Sequence, residues 1–389
     1  MSEAWSQSPE NTLQSLRHGI THTDGIELDV RLTSDNELII HHDSMVSITK
    51  DKLNGRSKWV ESWTLDELKE QGFCSLDDLL NDSEIRKHWI EQGKMVCLEF
   101  KRPHLLSPKG RGIFRGTSGQ KNTLSTAMKK AELKLDELEI PNQNSVFYSF
   151  YTGMKQIIER NSIKRNWASL KPSIPTMGTR TMKRMYAYPR YFITPFSRLV
   201  KKHRNSGSSM VPCASEYFSP VYSRALFGRV VGLDGKRREY LSRCQRGMPT
   251  HVWPTKPILE HKILNAGLTA LSDYLDPNLT WLPSENARWV KPATLPLDET
   301  QKQLLDNSTK DNHLSIIDQL KSEVPTWKEC DKQRKVMLIQ YWRKKWNWDI
   351  DVDEVLAKSV DSPPWQSVRL IGHRGSGKTS RPIIKNHSI

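Results

Sequence analysis

Glu27 and Asp29 stand two residues apart in Gly25-Ile26-Glu27-Leu28-Asp29-Val30. In an extended strand, side chains alternate between faces, so the two carboxylates point one way and Ile26, Leu28 and Val30 the other. Neighbouring carboxylates repel, and each holds its proton more tightly unless a positive charge lies between them. A divalent cation is the usual solution, because hard cations take carboxylate oxygens. The turn Thr33-Ser34-Asp35-Asn36 leads into Glu37-Leu38-Ile39-Ile40-His41-His42-Asp43, which sets a histidine pair where a strand would end. Met95-Val96-Cys97-Leu98-Glu99-Phe100-Lys101 reads as a further strand, with Cys97, Glu99 and Lys101 on one face. Each piece alone also fits a solvated strand edge or a structural histidine.

Taken together, the pieces resemble the glycerophosphodiester phosphodiesterase family. That family's pattern opens with His-Arg-Gly, then shows Pro-Glu-Asn-Thr, Glu-x-Asp, His-Asp and Glu-x-Lys. Here Pro9-Glu10-Asn11-Thr12, Glu27-Leu28-Asp29, His42-Asp43 and Glu99-Phe100-Lys101 follow in order, while His373-Arg374-Gly375 stands at the far end of the chain. The order is that of a circular permutation, or of a reading frame opened at another point of a circular sequence. The resemblance implies an α/β fold, a permuted (β/α)8 barrel with an appended helical segment and a site at the C-terminal ends of its strands. It implies that Glu27, Asp29 and Glu99 bind one Mg2+ or Ca2+. It also implies that His373 and His42 form an acid–base pair and that Arg374 and Lys101 hold the phosphodiester. Glu10 and Asn11 would orient neighbours, and His41 would point outward by alternation. The expected reaction is metal-dependent hydrolysis of glycerophosphodiesters to glycerol 3-phosphate and an alcohol. A related barrel phospholipase, cleaving as a phospholipase D or a phosphoinositide-specific enzyme does, is the alternative.

The elements that must position these groups can be placed along the chain. Thr12–Gly19 has helical spacing, with Asn11 or Thr12 as its cap. Thr64-Leu65-Asp66-Glu67 and Ser75-Leu76-Asp77-Asp78 read as capped helix starts. Strands are expected at 145–150, 167–170, 210–214, 248–254 and 267–274, which places seven of eight barrel strands in residues 1–276. Residues 277–365 read as a helical insertion or small domain. Helices are expected there over Asp298–Val324 and Glu329–Trp348, and Val336, Ile339, Trp342 and Trp346 carry the core spacing of the second. Residues 366–389 supply the remaining barrel strand, Ser367–Gly372, and the His-Arg-Gly motif. The loop from Arg102 to Arg115 reads as a solvated basic surface loop.

Composition narrows the partners. A net charge of +15 over 389 residues favours anions, among them phosphate esters and an anionic membrane surface. Lys171–Arg204 interleaves basic residues with Tyr186, Tyr188, Tyr191, Phe192 and Phe196, but no nucleic-acid motif accompanies them, so no nucleic acid is expected. No run of about 18 apolar residues occurs, so no transmembrane helix is expected. The five cysteines are scattered, and Met1–Thr12 shows neither a basic nor an apolar leader, so a reducing, cytoplasmic setting is expected. Gly372–Thr379 also matches the P-loop pattern G-x-x-x-x-G-K-[ST], which would make the chain a nucleotide hydrolase. A P-loop needs a following helix and later strands, and only ten residues follow Thr379.

Overall fold

The computed structural model describes residues 6–46, 48, 53, 55–169, 182, 185, 186, 189, 193–218, 233–276 and 293–379. Among the described residues nine strands form one sheet: β1 Gly25–Leu32, β2 Leu38–Ile40, β3 Met95–Phe100, β4 Ser145–Ser149, β5 Asn166–Ser169, β6 Val211–Ala214, β7 Thr250–Thr255, β8 Thr269–Ser272 and β9 Leu370–Gly372. Eight run parallel in the order β5-β4-β3-β1-β9-β8-β7-β6. Between β5 and β6 the ladder gives way to Ser209. Its N–H donates to Trp167 O (2.9 Å), and its hydroxyl accepts from the Trp167 N–H at 3.2 Å. The result is a near-closed barrel with flanking helices.

β9, the last strand in sequence, lies between the first and the eighth. Gly25 and Ile26 pair with Ile371 and Gly372, and Ala270–Ser272 pair with Leu370–Gly372. The strand expected over Ser367–Gly372 is therefore parallel and central, although only its last three residues carry strand geometry. β2 pairs antiparallel with β1 and lies off the eight-strand path, a hairpin turned by Asn36 at φ 63. The strand stops at Ile40, so His41–Asp43 follow it rather than belong to it.

Alternation sorts the side chains. Ile26, Leu28 and Val30 of β1 and Val96, Leu98 and Phe100 of β3 face outward and pack on Leu16, Ile20, Leu124 and Met128 of the surrounding helices. Cys97, Val146, Tyr148, Met210, Leu271 and Ile371 fill the barrel interior. The helix Leu13–His22 is capped by the Thr12 hydroxyl, which accepts from the Ser15 N–H, and Thr64 and Ser75 open their helices with reciprocal capping boxes.

Residues 293–365 are helical and sit at the N-terminal ends of the strands. The expected helix over Asp298–Val324 is two, Glu299–Asp306 and His313–Glu323. The polar run Asn307–Asn312 breaks it, with the Asn312 side chain accepting from the Thr309 N–H. Lys332–Trp346 buries Leu338, Ile339, Trp342 and Trp346, with Val336 only half-buried. Asp24 ties this segment to the barrel, accepting from the N–H and hydroxyl of Thr294 and from the Leu370 N–H.

One reading needs correction. The loop of 102–115 is not wholly surface loop, because the helix Gly112–Glu137 begins inside it. Of the aromatics in Lys171–Arg204, Phe196 is buried in the core beneath β6 and does not face solvent, whereas Tyr186 is exposed. Tyr188, Tyr191 and Phe192 lie outside the described residues, as do 277–292 and 380–389.

Candidate active site

The charged groups converge at the C-terminal ends of β1, β3, β8 and β9. Asp29 and Glu99 are direct partners in the parallel β1–β3 ladder, and Glu27 sits one pleat earlier on the same face. One carboxylate oxygen from each of the three lies within 4.8 Å of the others, and all three residues are buried. Lys101, just past β3, reaches back to hydrogen-bond Glu99 and to stand 2.8 Å from Asp29 Oδ1. Arg374 closes the far side. Its Nε is 3.2 Å from Asp29 Oδ2, its Nη1 donates to Glu10 Oε1 at 2.7 Å, and its backbone N–H donates to Glu27 Oε2 at 2.9 Å. Asn11 grips Asp29 twice: its amide donates to Oδ2, and its carbonyl oxygen accepts from the Asp29 N–H.

Both histidines are braced on Nδ1 by a carboxylate. His373 Nδ1 is 2.6 Å from Asp273 Oδ1, which leaves Nε2 aimed at Glu27 Oε2, 3.7 Å away. His42 Nδ1 is 3.0 Å from Asp43 Oδ1. Arg31 fixes the loop that carries His42, donating to the His42 carbonyl from Nε and Nη2 while pairing with Glu61 at 3.2 Å. His41 is turned from the carboxylates. It is buried against Phe73 with Nε2 3.1 Å from Met45 O, so "outward" here means into a second small core rather than into water.

Electrostatics separates these groups. Burial, and then Asp29 alongside, push the Glu27 carboxyl up to about 7. Burial would raise Asp29 too, but Lys101, His42 and Arg374 together hold it well below the usual carboxylate range. Burial raises Glu99, partly offset by Lys101. Burial and then Lys101 hold His42 well below its ordinary value. His373 moves the other way: burial opposes its charge, but Glu27 and the hydrogen bond to Asp273 outweigh burial and raise it.

The three carboxylates fit a divalent cation. Oε1 of Glu27 is buried with no hydrogen-bond partner, an arrangement that is costly unless a cation completes it. The donor set is all oxygen, which suits a hard ion and not a thiophilic one.

The structure brings Glu27, Asp29, Glu99, Lys101, Arg374 and His373 into one cluster, and His42 sits on the loop after β2 with Asp43 as its side-chain partner, within electrostatic reach of Lys101 and Asp29. Asp273 and Arg31 escaped sequence reasoning. Asp273 directly follows β8, a strand-end position that could have flagged it, whereas Arg31 carries no such signal. The Gly372–Thr379 loop does not form a P-loop. Its Arg374 and Thr379 N–H groups donate to the Glu27 and Glu10 carboxylates, and those of Gly375 and Ser376 to Glu27 O and Ser15 Oγ. Those amides are occupied by protein acceptors, and residues 373–379 form turns and no helix.

Comparison with known proteins points the same way. Residues 4–177 match the profile of the glycerophosphoryl diester phosphodiesterase family. A glycerophosphodiester phosphodiesterase of Caldanaerobacter subterraneus subsp. tengcongensis is 38% identical over 63 residues, 16% of this chain. The chain spans about a quarter, 24%, of the length of that relative. Three solved structures superpose in part. A glycerophosphodiester phosphodiesterase of Thermotoga maritima shares 17% identity at TM-score 0.36, covering 63% of this chain and 79% of that one. One from Parabacteroides distasonis shares 16% at TM-score 0.42, covering 68% and 85%. An Oleispira antarctica phosphodiesterase in complex with the product sn-glycerol-3-phosphate shares 17% at TM-score 0.43, covering 68% and 88%. Superpositions this partial carry no assignment of their own. The profile match spans Glu27, Asp29, His42, Glu99 and Lys101 and stops short of His373 and Arg374, so the likeness to that family is established for residues 4–177.

Proposed function

We propose that the protein hydrolyses glycerophosphodiesters, releasing glycerol 3-phosphate and an alcohol. The observation that carries this reading is a buried carboxylate triad with two histidines, each braced on Nδ1 by its own carboxylate, at one end of a barrel. Glu27, Asp29 and Glu99 would hold a Mg2+ or Ca2+ ion, which would polarise a phosphoryl oxygen and neutralise charge developing there. Arg374 and Lys101 supply fixed positive charge against a phosphodiester. The histidines divide the proton work as their surroundings dictate. His42, held neutral, accepts a proton from the attacking water oxygen. His373, whose hold on its proton Glu27 and Asp273 strengthen, donates from Nε2 to the departing alkoxide. The P–O bond to water forms as that to the alcohol breaks. Release of glycerol 3-phosphate from several glycerophosphodiesters, with EDTA and with added Mg2+ or Ca2+, tests the reading. Turnover undiminished by EDTA would remove the metal from it.

We further infer that the chain is a permuted member of its family. The supporting observation is that Asn11 N–H donates to Arg374 O at 3.0 Å and Glu10 N–H to Thr379 Oγ1 at 3.2 Å, so the Pro-Glu-Asn-Thr and His-Arg-Gly segments meet at the site. Placing residues 277–389 ahead of Met1 restores the family's order and should give a folded, active enzyme. An insoluble product from the reconnected chain argues against permutation.

A further inference from the structure

A second cavity, of about 680 Å³, opens at the other end of the barrel, between the N-terminal ends of the strands and the helical segment. That volume is in the range of small-molecule sites. On the barrel side it is lined by Asp24, Lys94 and Leu370, which directly precede or begin β1, β3 and β9. On the helical side its wall is apolar, with Leu305, Ile317, Leu320 and Trp346 prominent.

The charge around this apolar wall is one-sided. Lys94, Lys302, Lys321 and Lys345 line it, against Asp24 and Asp318. Asp24 accepts three hydrogen bonds from Thr294 and Leu370, and Asp318 stands 3.9 Å from Lys321. Lys94 and Lys302 are only 8% and 6% exposed, rare for lysine. Lys94 donates to the Ile20 and Thr21 carbonyls, which end the helix Leu13–His22, and burial pushes its ammonium down to about 8. Lys302 lies 4.2 Å from the Tyr341 ring centre and 3.9 Å from Glu299. The wall therefore carries an excess of positive charge, four lysines against two aspartates, beside an apolar face. A ligand with a negative head and a hydrocarbon tail satisfies both surfaces.

We propose that this cavity binds an amphiphilic anion, a single alkyl chain ending in a carboxylate or a phosphate. The tail would lie along Leu305, Leu320 and Trp346 and the head toward Lys94 and Lys302. The cavity shares no lining residue with the carboxylate triad, so the proposal goes beyond the phosphodiesterase reading and does not depend on it.

Calorimetric titration of the full chain with dodecanoate and with dodecyl phosphate, below micelle formation, tests it. Saturable binding of one ligand per chain is expected, with a dissociation constant below about 100 µM. The arm that binds tighter identifies the head as carboxylate or phosphate. Dodecanol should bind about tenfold more weakly or worse, and Lys302→Met should weaken the anion by a similar factor. Leu305→Trp should fill the cavity and abolish binding, and Ile317→Trp at the half-buried rim serves if Leu305→Trp lowers the melting temperature. Glycerol 3-phosphate, a head without a tail, should not compete. Absence of saturable binding by both anions, equal affinity for dodecanol, unchanged binding in the folded tryptophan variant, or displacement by glycerol 3-phosphate would each overturn the proposal.

Discussion

The two ends of the barrel bury charge in opposite ways. At the N-terminal end, Arg369 is 1% exposed and donates to the carbonyls of Pro363, Pro364, Trp365 and Ser367, while Asp24 receives two N–H groups and a hydroxyl. These charges meet backbone dipoles that the fold must satisfy anyway, and they tie β9 and the helical segment to the barrel. At the C-terminal end, three carboxylates face one another, one oxygen of Glu27 has no partner, and Lys101 and Arg374 supply the compensating charge. The first arrangement matches buried charge to backbone partners, although burial still raises Asp24 and pulls the Arg369 guanidinium down to about 10. The second holds mutual repulsion that a bound cation would relieve, as expected of a site arranged for chemistry rather than stability.

The largest effect should follow from deleting residues 366–389. This removes β9 and leaves β1 and β8 with open edges, takes the Arg369 clamp from one end and takes His373 and Arg374 from the other. The product should be inactive and largely insoluble, as soluble yield and circular dichroism would show. A soluble, folded truncation would mean that β9 does not close the barrel.

Next come the carboxylates themselves. Glu27→Gln and Glu99→Gln should each lower diester turnover by about 10³-fold or more, several kcal/mol of transition-state stabilisation. Without added metal, the same variants should melt at or above the wild-type temperature, because a like charge has been removed. A drop in melting temperature with turnover intact would reverse the contrast between the two ends.

The histidines sharpen it further. His42→Ala and His373→Ala should each lower turnover by about 10²–10⁴. His41→Ala should leave turnover near wild type and lower stability instead, because His41 packs on Phe73. Loss of turnover on changing His41 but not His42 would show that the assignment is shifted by one residue. At the N-terminal end, Asp24→Ala should destabilise the fold by about 1.5–3 kcal/mol, the range for hydrogen bonds to a charged group. The kcat of the Asp24→Ala protein should stay near wild type at a temperature where it is folded.

The contrast also explains what could be read from the sequence. Period-two alternation in Gly25–Val30 and Met95–Lys101 was enough to put Glu27, Asp29, Glu99 and Lys101 on one face, because a barrel strand has only two faces. Motif resemblance placed His373 and Arg374 beside them across 272 to 347 residues of sequence, which alternation cannot do. Arg369 and Asp24 gave no such signal. Their partners are backbone groups of segments that meet only in the folded chain, and backbone leaves no mark in residue type. The break at Asn307–Asn312 was legible in principle from its run of polar, backbone-competing side chains. Asp273 was legible in part: it falls at the end of the strand expected at 267–274, next to the strand expected over Ser367–Gly372, but a single carboxylate at a strand end does not by itself name the histidine it will brace.

Asp273 therefore offers the finest test of how the C-terminal end works. Its carboxylate raises His373, together with Glu27, against the pull of burial. Asp273→Asn keeps the shape and a hydrogen-bonding oxygen but removes the charge. The His373 imidazolium would then lose its proton at a lower pH. If His373 is the acid that protonates the leaving alcohol, the alkaline limb of the kcat profile should move to lower pH, by about one unit or less. The acid limb, set by His42 and its own partner Asp43, should stay in place. A substrate whose alcohol leaves readily without protonation should show little loss, whereas a poor leaving group should show the full effect. An unchanged alkaline limb, or an acid limb that moves with it, would take His373 out of the acid role and leave Asp273 as packing alone.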